Sequence, residues 1–365
     1  MESNSCLLID TEALAGNVRA IREDLGEAEL VAVVKGNAYG LGAVPISREL
    51  ARLGVREFAV SHPAEGTELR RAGIREPIMV LSLPLDFQVS DAAEADLTLT
   101  LGSFRQFEIC KAVSQKLGRP LKAQIKLDTG LHRIGFVPSE MEGLAAGLKE
   151  YAPYLNITGT FSHFADTVGE HMDAQLALFL DMIAELNSRG IGTGIRHISS
   201  SAPLEADTKY NLDAVRVGRR LYMDNPETPD GRIRECASFR AYLADIRQRG
   251  AGETLAYGNS FRLSKDTKVG VLSVGYGDGY PDALAKVGAP VLVSGKTAHM
   301  LASCMDQSFV DLTGIDAAPG DEVTFFGYDA AGNFLSSQAV AALIGDSEGC
   351  GLTAALSPRV ERKYI

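Results

Sequence analysis

Through the first 220 residues, short apolar runs alternate with stretches in which apolar residues recur at helical spacing. Eight runs read as strands: 30–34, 57–61, 78–83, 97–101, 121–127, 157–162, 194–198 and 212–216. Helical periodicity fills most of the gaps, at 43–53, 64–72, 103–117, 139–149 and 173–188. Repeated βα units with right-handed crossovers build a parallel sheet, and eight of them close into a (β/α)8 TIM-type barrel. An open doubly wound sheet is the alternative, but it normally has fewer strands and often a Gly-rich phosphate turn after the first. Here the first strand runs into Lys35-Gly36-Asn37-Ala38-Tyr39, which is not that turn.

After about residue 230 the texture changes. Strand-like runs at 268–274, 289–294, 308–312 and 322–326 are punctuated by Gly- and Asp-rich turns, with one helical piece at 337–343. The expected fold is therefore α/β, a barrel over 1–230 followed by a mostly β domain over 231–365. Residues 5–9 are also strand-like, so residues 1–10 can pair with the second domain. The arginine-rich stretch 232–249 contains acids as well and reads as a solvated helix face or a linker.

Composition narrows the function. A chain of 365 residues suits one large and one smaller domain. Its net charge of -11 argues against nucleic acid or an anionic membrane as partner. No apolar run approaches a membrane span, and the first residues lack the basic start and apolar core of a signal peptide. The five cysteines are scattered, never in a C-x-x-C pair, which fits reduced thiols in a cytoplasm. No metal site is expected: His163, Asp166, Glu170 and His171 are close in sequence, but their spacing fits no strong ligand pattern.

Barrel active sites form at the carboxyl ends of the strands. Those ends carry Lys35, then Lys126 to Gly130 with Arg133, then His163, then His197 with Ser199 to Ser201, then Arg216 with Gly218. A lysine buried at a strand end is costly unless it has work to do, and desolvation turns it into a usable amine for a Schiff base. A lysine that snorkels to solvent is the plainer reading. His163 and His197 as hydrogen-bonded core groups, and Arg216 in a surface ion pair, are the plainer readings of the others.

The chain resembles the alanine racemase family over nearly its whole length. The resemblance rests on Ala32-Val33-Val34-Lys35-Gly36-Asn37-Ala38-Tyr39-Gly40, the run from Lys126 to Phe136, Val215-Arg216-Val217-Gly218, Gly275-Tyr276-Gly277-Asp278-Gly279-Tyr280 and Cys304-Met305-Asp306-Gln307. It implies a racemase that interconverts L- and D-alanine with pyridoxal 5'-phosphate, supplies D-amino acid for peptidoglycan and works as a homodimer with shared active sites. Lys35 would carry the cofactor as a Schiff base and act as one base, and Tyr276 from the partner subunit would be the other. Inversion at Cα needs proton removal on one face and delivery on the other, which requires two groups. A free tyrosine, with a pKa of about 10, is a poor base unless nearby positive charge lowers it.

The resemblance further places Arg216 at the pyridine nitrogen, where a permanently protonated group donates a hydrogen bond without giving the ring a full charge. Tyr39, Ser201 and the backbone near Gly218 match positions that hold the phosphate. His163 would lie behind the cofactor and help orient Arg216. Arg133 would steer the substrate carboxylate or the cofactor phenolate, and Met305 and Asp306 would help close the partner's substrate site. Lys126 matches a lysine that is carbamylated in some relatives.

Three positions depart from the family pattern. Ser200 replaces the Asn before the phosphate-binding serine, Arg219 follows Gly218 where Ile is usual, and Pro358 stands where Ser-Tyr-Arg-Val has its tyrosine. Losing that ring could admit a larger or more polar side chain, serine first, and Pro358→Tyr would then shift preference toward alanine. A serine or broader amino-acid racemase is thus the runner-up. An amino-acid decarboxylase fits less well, because Arg216 stands where an acid is usual. A non-catalytic pyridoxal phosphate carrier is the reading from another class, and it has no use for the second domain with Tyr276.

Overall fold

The computed structural model describes residues 3–223, 231–346 and 349–365. Residue 230, where the sequence places the domain boundary, lies outside the described residues. The described residues within 17–38 and 43–221 form one compact unit, and those within 1–16, 39–42 and 222–365 form the other.

The chain opens on β1 (Ser5–Ile9), which belongs to the second unit, and continues into the helix Thr11–Leu25. The first unit then supplies eight short parallel strands: β2 (Glu29–Val33), β3 (Glu57–Val60), β4 (Ile78–Val80), β5 (Leu99–Leu101), β6 (Leu121–Lys126), β7 (Leu155–Phe161), β8 (Ile195–His197) and β9 (Ala214–Val217). They form two four-stranded sheets, ordered β4-β3-β2-β9 and β5-β6-β7-β8. A parallel bridge from Met79 to Thr98 joins β4 to the start of β5, and Asp213 N donates to Arg196 O at the β8–β9 seam. The ring is therefore closed, as the eight apolar runs predict. Strand residues such as Val31, Ala59, Met79, Ile125 and Val215 are fully buried, since side chains fill the inside of such a barrel while helices cover the outside. Among those helices are Ala43–Arg52, Pro63–Arg71, Arg105–Leu117, Met141–Glu150 and Gly169–Ser188.

The second unit is mostly β. Its strands are β10 (Ala237–Arg249), the two-residue pair β11 (Thr254–Leu255) and β12 (Phe261–Arg262), β13 (Thr267–Leu272), β14 (Pro290–Val293), β15 (Lys296–Ser303), β16 (Ser308–Asp311), β17 (Glu322–Tyr328), β18 (Phe334–Leu335) and β19 (Glu361–Tyr364). Pairing runs β10-β13-β16-β15-β14-β17 and returns from β17 to β10, a closed antiparallel ring. Phe239, Tyr280, Phe325 and Phe326 pack inside it, with Tyr280 edge-on to Phe325 at 4.8 Å. Outside the ring β1 pairs antiparallel with β10 and parallel with β19.

The arginine-rich stretch corrects the sequence reading. Most of 232–249 is the long strand β10, neither helix nor linker. Phe239, Ala241 and Leu243 alternate inward, while Tyr242 and the later charged residues lie at the exposed face and far end. Its charges mask a period of two, which is the signal of a half-buried strand.

Candidate active site

The strand order brings most of the candidate residues to the carboxyl end of the first unit's barrel. Arg216, on β9, sits at the centre and is almost completely buried. Its Nη1 donates to His197 Nδ1 at 2.7 Å and to His197 O at 3.2 Å. Its Nη2 donates to Ser162 O at 2.7 Å, His163 Nδ1 at 3.0 Å and Ile198 O at 3.2 Å. The β7–β8 register sets this cradle, because Phe161 pairs with His197 and the ends of both strands deliver their carbonyls beside Arg216.

Both imidazoles are acceptors toward the guanidinium, which fixes their state. His197 takes the bond from Arg216 on Nδ1, so its Nε2–H donates to Gln124 Oε1 at 2.7 Å. Burial first, then the charge of Arg216, pushes His197 well below the ordinary histidine range. His163 is lowered to about 3 by burial and then by Arg216, Arg133, Lys126 and Lys35. Two neutral histidines therefore hold one guanidinium. Burial and then Arg133 draw Arg216 down to about 9, which leaves it protonated at neutral pH. Phe161 stacks on His197, with ring centroids 5.2 Å apart, and presents its face to Arg216.

Lys126, at the end of β6, is buried and donates to Leu127 O at 2.7 Å. Burial, then Arg216, lowers its pKa to about 7. Arg133 is exposed on the following loop, its charge felt by Lys126, His163 and Arg216. Between them, Asp128 accepts the Gly130 and His132 amides at 3.0 Å each. That makes Asp128 a turn former, not a catalytic acid. Ser201 is buried at the start of a short helix, and Gly218 N and Arg220 N approach its Oγ at 3.3 and 3.4 Å.

Lys35 follows the plainer of its two readings. It is exposed, because it stands one residue beyond the buried Val34 and opens a turn instead of ending inside the barrel. Gly36, Asn37, Ala38 and Tyr39 all have positive φ, 61°, 57°, 52° and 55°, one turn of left-handed helix. Each of the three non-glycine residues carries a cost of roughly 1–2 kcal/mol in that region, so surrounding contacts must hold it. Ala38 N bonds Val34 O, Gly36 N bonds Glu65 Oε1 at 2.6 Å, and Ala43 N bonds Asn37 Oδ1 at 2.7 Å. Tyr39, at the end of the turn, falls in the second unit and packs on Tyr222 at 5.5 Å.

The second unit gathers Tyr276, Met305 and Asp306. Tyr276 opens a 3-10 turn, Tyr276–Asp278, and is 42% exposed. Tyr276 N bonds Cys304 O at 3.1 Å and Gly277 N bonds Met305 O at 2.8 Å, which fastens the turn to the 304–306 loop. A Cβ on Gly275 would lie 2.2 Å from Cys304 O, so only glycine permits this approach. Arg359 closes the far side, with Nη1 2.8 Å from Asp306 Oδ1 and Nε 3.3 Å from Asp278 Oδ1.

Sequence reasoning assigned no role to Gln124 or Ser162, and none to His197 beyond its place at a strand end. All three act by supporting Arg216, and their signal is only a polar residue inside an apolar strand. Among the described residues no group of three or more His, Cys, Asp or Glu could hold a metal ion. Asp166 Oδ2 instead bonds His171 Nδ1 at 2.9 Å. No helix among the described residues is long and apolar enough to cross a membrane.

A closed parallel barrel with cations and neutral imidazoles at its carboxyl end, and a small β ring in the same chain, is the plan of a two-domain barrel enzyme. Residues 9–226 match the model of the alanine racemase N-terminal domain, and residues 236–364 that of the alanine racemase C-terminal domain. The alanine racemase of Desulforamulus reducens is 34% identical over 98% of this chain and 98% of that protein. That of Acidithiobacillus ferrooxidans is 36% identical over 87% and 88%. The solved alanine racemase of Streptomyces lavendulae superposes with a TM-score of 0.92 at 30% identity, covering 100% of this chain and 98% of that one. The chain belongs to the alanine racemase family. It is an amino-acid racemase, acting on a small amino acid, as the sequence reading has it.

Proposed function

We propose that the chain interconverts L- and D-alanine with pyridoxal 5'-phosphate, using Lys35 and Tyr276 of the partner subunit as opposed bases in a homodimer. The observation that carries this reading is the Arg216 cradle: a buried cation held by neutral acceptors, with no carboxylate among its hydrogen-bond partners in the described residues. The donor set fits the cofactor. Lys126, Arg133 and Arg216 cluster, and cations in a partly buried site favour a polyanion. Ser201 and the amides around Gly218 are suitable phosphate donors, as is the Tyr39 hydroxyl.

Pyridoxal phosphate, when bound, supplies the electron sink that makes the substrate Cα–H acidic. Arg216 would give the ring nitrogen a hydrogen bond while keeping its own proton, which would limit the sink and suit simple inversion. His163 and His197 fix the plane of that guanidinium. Lys35 Nζ exchanges a proton on one face of Cα, and the partner subunit's Tyr276 Oη exchanges one on the other. Arg133 orients the carboxylate, and Met305 and Asp306 border the partner's substrate. Lys126, half neutral near pH 7, is the amine in this cluster able to add carbon dioxide; its carbamate would be an anion close to Arg216 and Arg133. The supply of D-alanine to peptidoglycan and a cytoplasmic setting belong to the same proposal.

Chiral chromatography of the cofactor-loaded protein with L-alanine and, separately, L-serine tests the reading. D-alanine should form, and Lys35→Ala and Tyr276→Phe should each abolish it. A protein that holds pyridoxal phosphate on Lys35 but inverts neither substrate would sink it.

A further inference from the structure

The last strand carries a side chain engaged with the segment that follows the active-site turn. On β19, Arg362 donates to four backbone carbonyls: Nε to Gly40 at 3.1 Å, Nη1 to Ser357 at 2.6 Å and to Val360 at 2.7 Å, and Nη2 to Leu356 at 2.7 Å. Two residues on, Tyr364 Oη donates to Leu41 O at 2.7 Å. Gly40 also abuts Thr353 so closely that a Cβ would lie 1.9 Å from its carbonyl oxygen. The strand that presents both side chains is itself paired to β1 over four residues, so the contacts have a firm base.

What they hold is the downstream end of the left-handed turn. Strained backbone of this kind persists only where the surroundings over-determine it. The upstream bonds from Val34, Glu65 and Asn37 fix one flank. The carbonyls of Gly40 and Leu41 are the first two beyond Tyr39, and both are taken by β19 side chains. A guanidinium is suited to the task because its planar fork spreads five N–H donors over three nitrogens, where an ammonium has three on a single atom.

We propose that Arg362 and Tyr364 are positioning residues of the active site: by capturing Gly40 and Leu41 they keep the 36–39 turn wound, and so keep Lys35 and Tyr39 placed for the cofactor. This rests on the function proposed above.

The test compares holoenzyme of the wild type, Tyr364→Phe and Arg362→Lys. Each is dialysed against cofactor-free buffer while bound pyridoxal phosphate is followed by absorbance. Amide hydrogen exchange at 36–41 is read alongside, with 291–293 as internal control. Tyr364→Phe removes one hydroxyl and keeps the ring, so it carries the test if Arg362→Lys fails to fold. Loss of one hydrogen bond predicts cofactor release and exchange at 36–41 faster by about fivefold in Tyr364→Phe, and by more than about tenfold in Arg362→Lys. Exchange at 291–293 should not move. Wild-type release and wild-type exchange in the folded variants overturn the assignment, even with a lower melting temperature, because a merely structural role destabilises without loosening this turn. If wild type takes up no pyridoxal phosphate, the functional reading falls instead. Exchange on the cofactor-free proteins then decides the clamp by itself, unchanged rates at 36–41 overturning it.

Discussion

Lys126 is a cation placed where a cation is costly. Its pKa falls to about 7, through burial first and then the neighbouring Arg216, against about 10.4 in an unfolded chain. Between those values the unfolded state binds the extra proton, so stability rises with pH across that window and the penalty is complete below it. Lys126→Met should therefore flatten the rise of the urea midpoint between about pH 7 and about pH 9. In labelled bicarbonate the wild type should show a carbon-13 carbamate resonance that this variant lacks; its absence from the wild type would remove carbamylation from the proposal. Single residues were legible where chemistry marks them. Lys126, His163 and Arg216 stand out because a charged or titratable group closes an apolar run. The choice between a buried and an exposed Lys35 was not legible, because nothing in its sequence shows that the strand stops two residues before it. Nor was Arg362, one arginine in a charged tail, whose partners lie as far away as Gly40.

At the scale of elements, the eight barrel strands could be read because each is buried and continuous. β10 could not, since its charged positions outweigh its alternation in composition. The 36–39 turn escaped for a different reason: Gly-Asn announces a turn, but nothing local announces four left-handed residues in a row. Parallel register also sets the far end of the barrel. Glu57 faces the charge of Glu29 there, and burial first, then that charge, raises its pKa to about 7. A raised carboxyl favours folding below its unfolded pKa and loses that contribution as pH climbs through the folded value. Glu57→Gln should thus stabilise the protein above about pH 7 with kcat unchanged, read from melting curves at two pH values, because this rim lies opposite the catalytic end. Gly275→Ala tests the other unit. Its methyl cannot fit against Cys304 O, so the Tyr276 turn must shift. Activity should drop by at least about a hundredfold while barrel-strand amides keep their exchange protection.

At the scale of the whole molecule, the proposal that a second subunit supplies one base has an arithmetic consequence. Lys35→Ala and Tyr276→Phe should each be inactive alone. Unfolded together and refolded, half the dimers are mixed, and each mixed dimer has one intact site of two. About a quarter of wild-type activity should return, and none if each chain completes its own site. Dilution below the dimer constant should also abolish turnover in the wild type. The β19 clamp finally imposes an order of events on synthesis. Arg362 lies 322 residues beyond the Gly40 carbonyl it holds. At about 5–20 residues per second, the ribosome needs roughly a quarter of a minute to a minute to cover that distance. Through that interval the lysine-bearing turn is already outside the tunnel without its far anchor. On the proposed clamp, a firmly held 36–39 turn waits for β19, and a nascent chain arrested before that strand lacks the bond from Arg362 to Gly40.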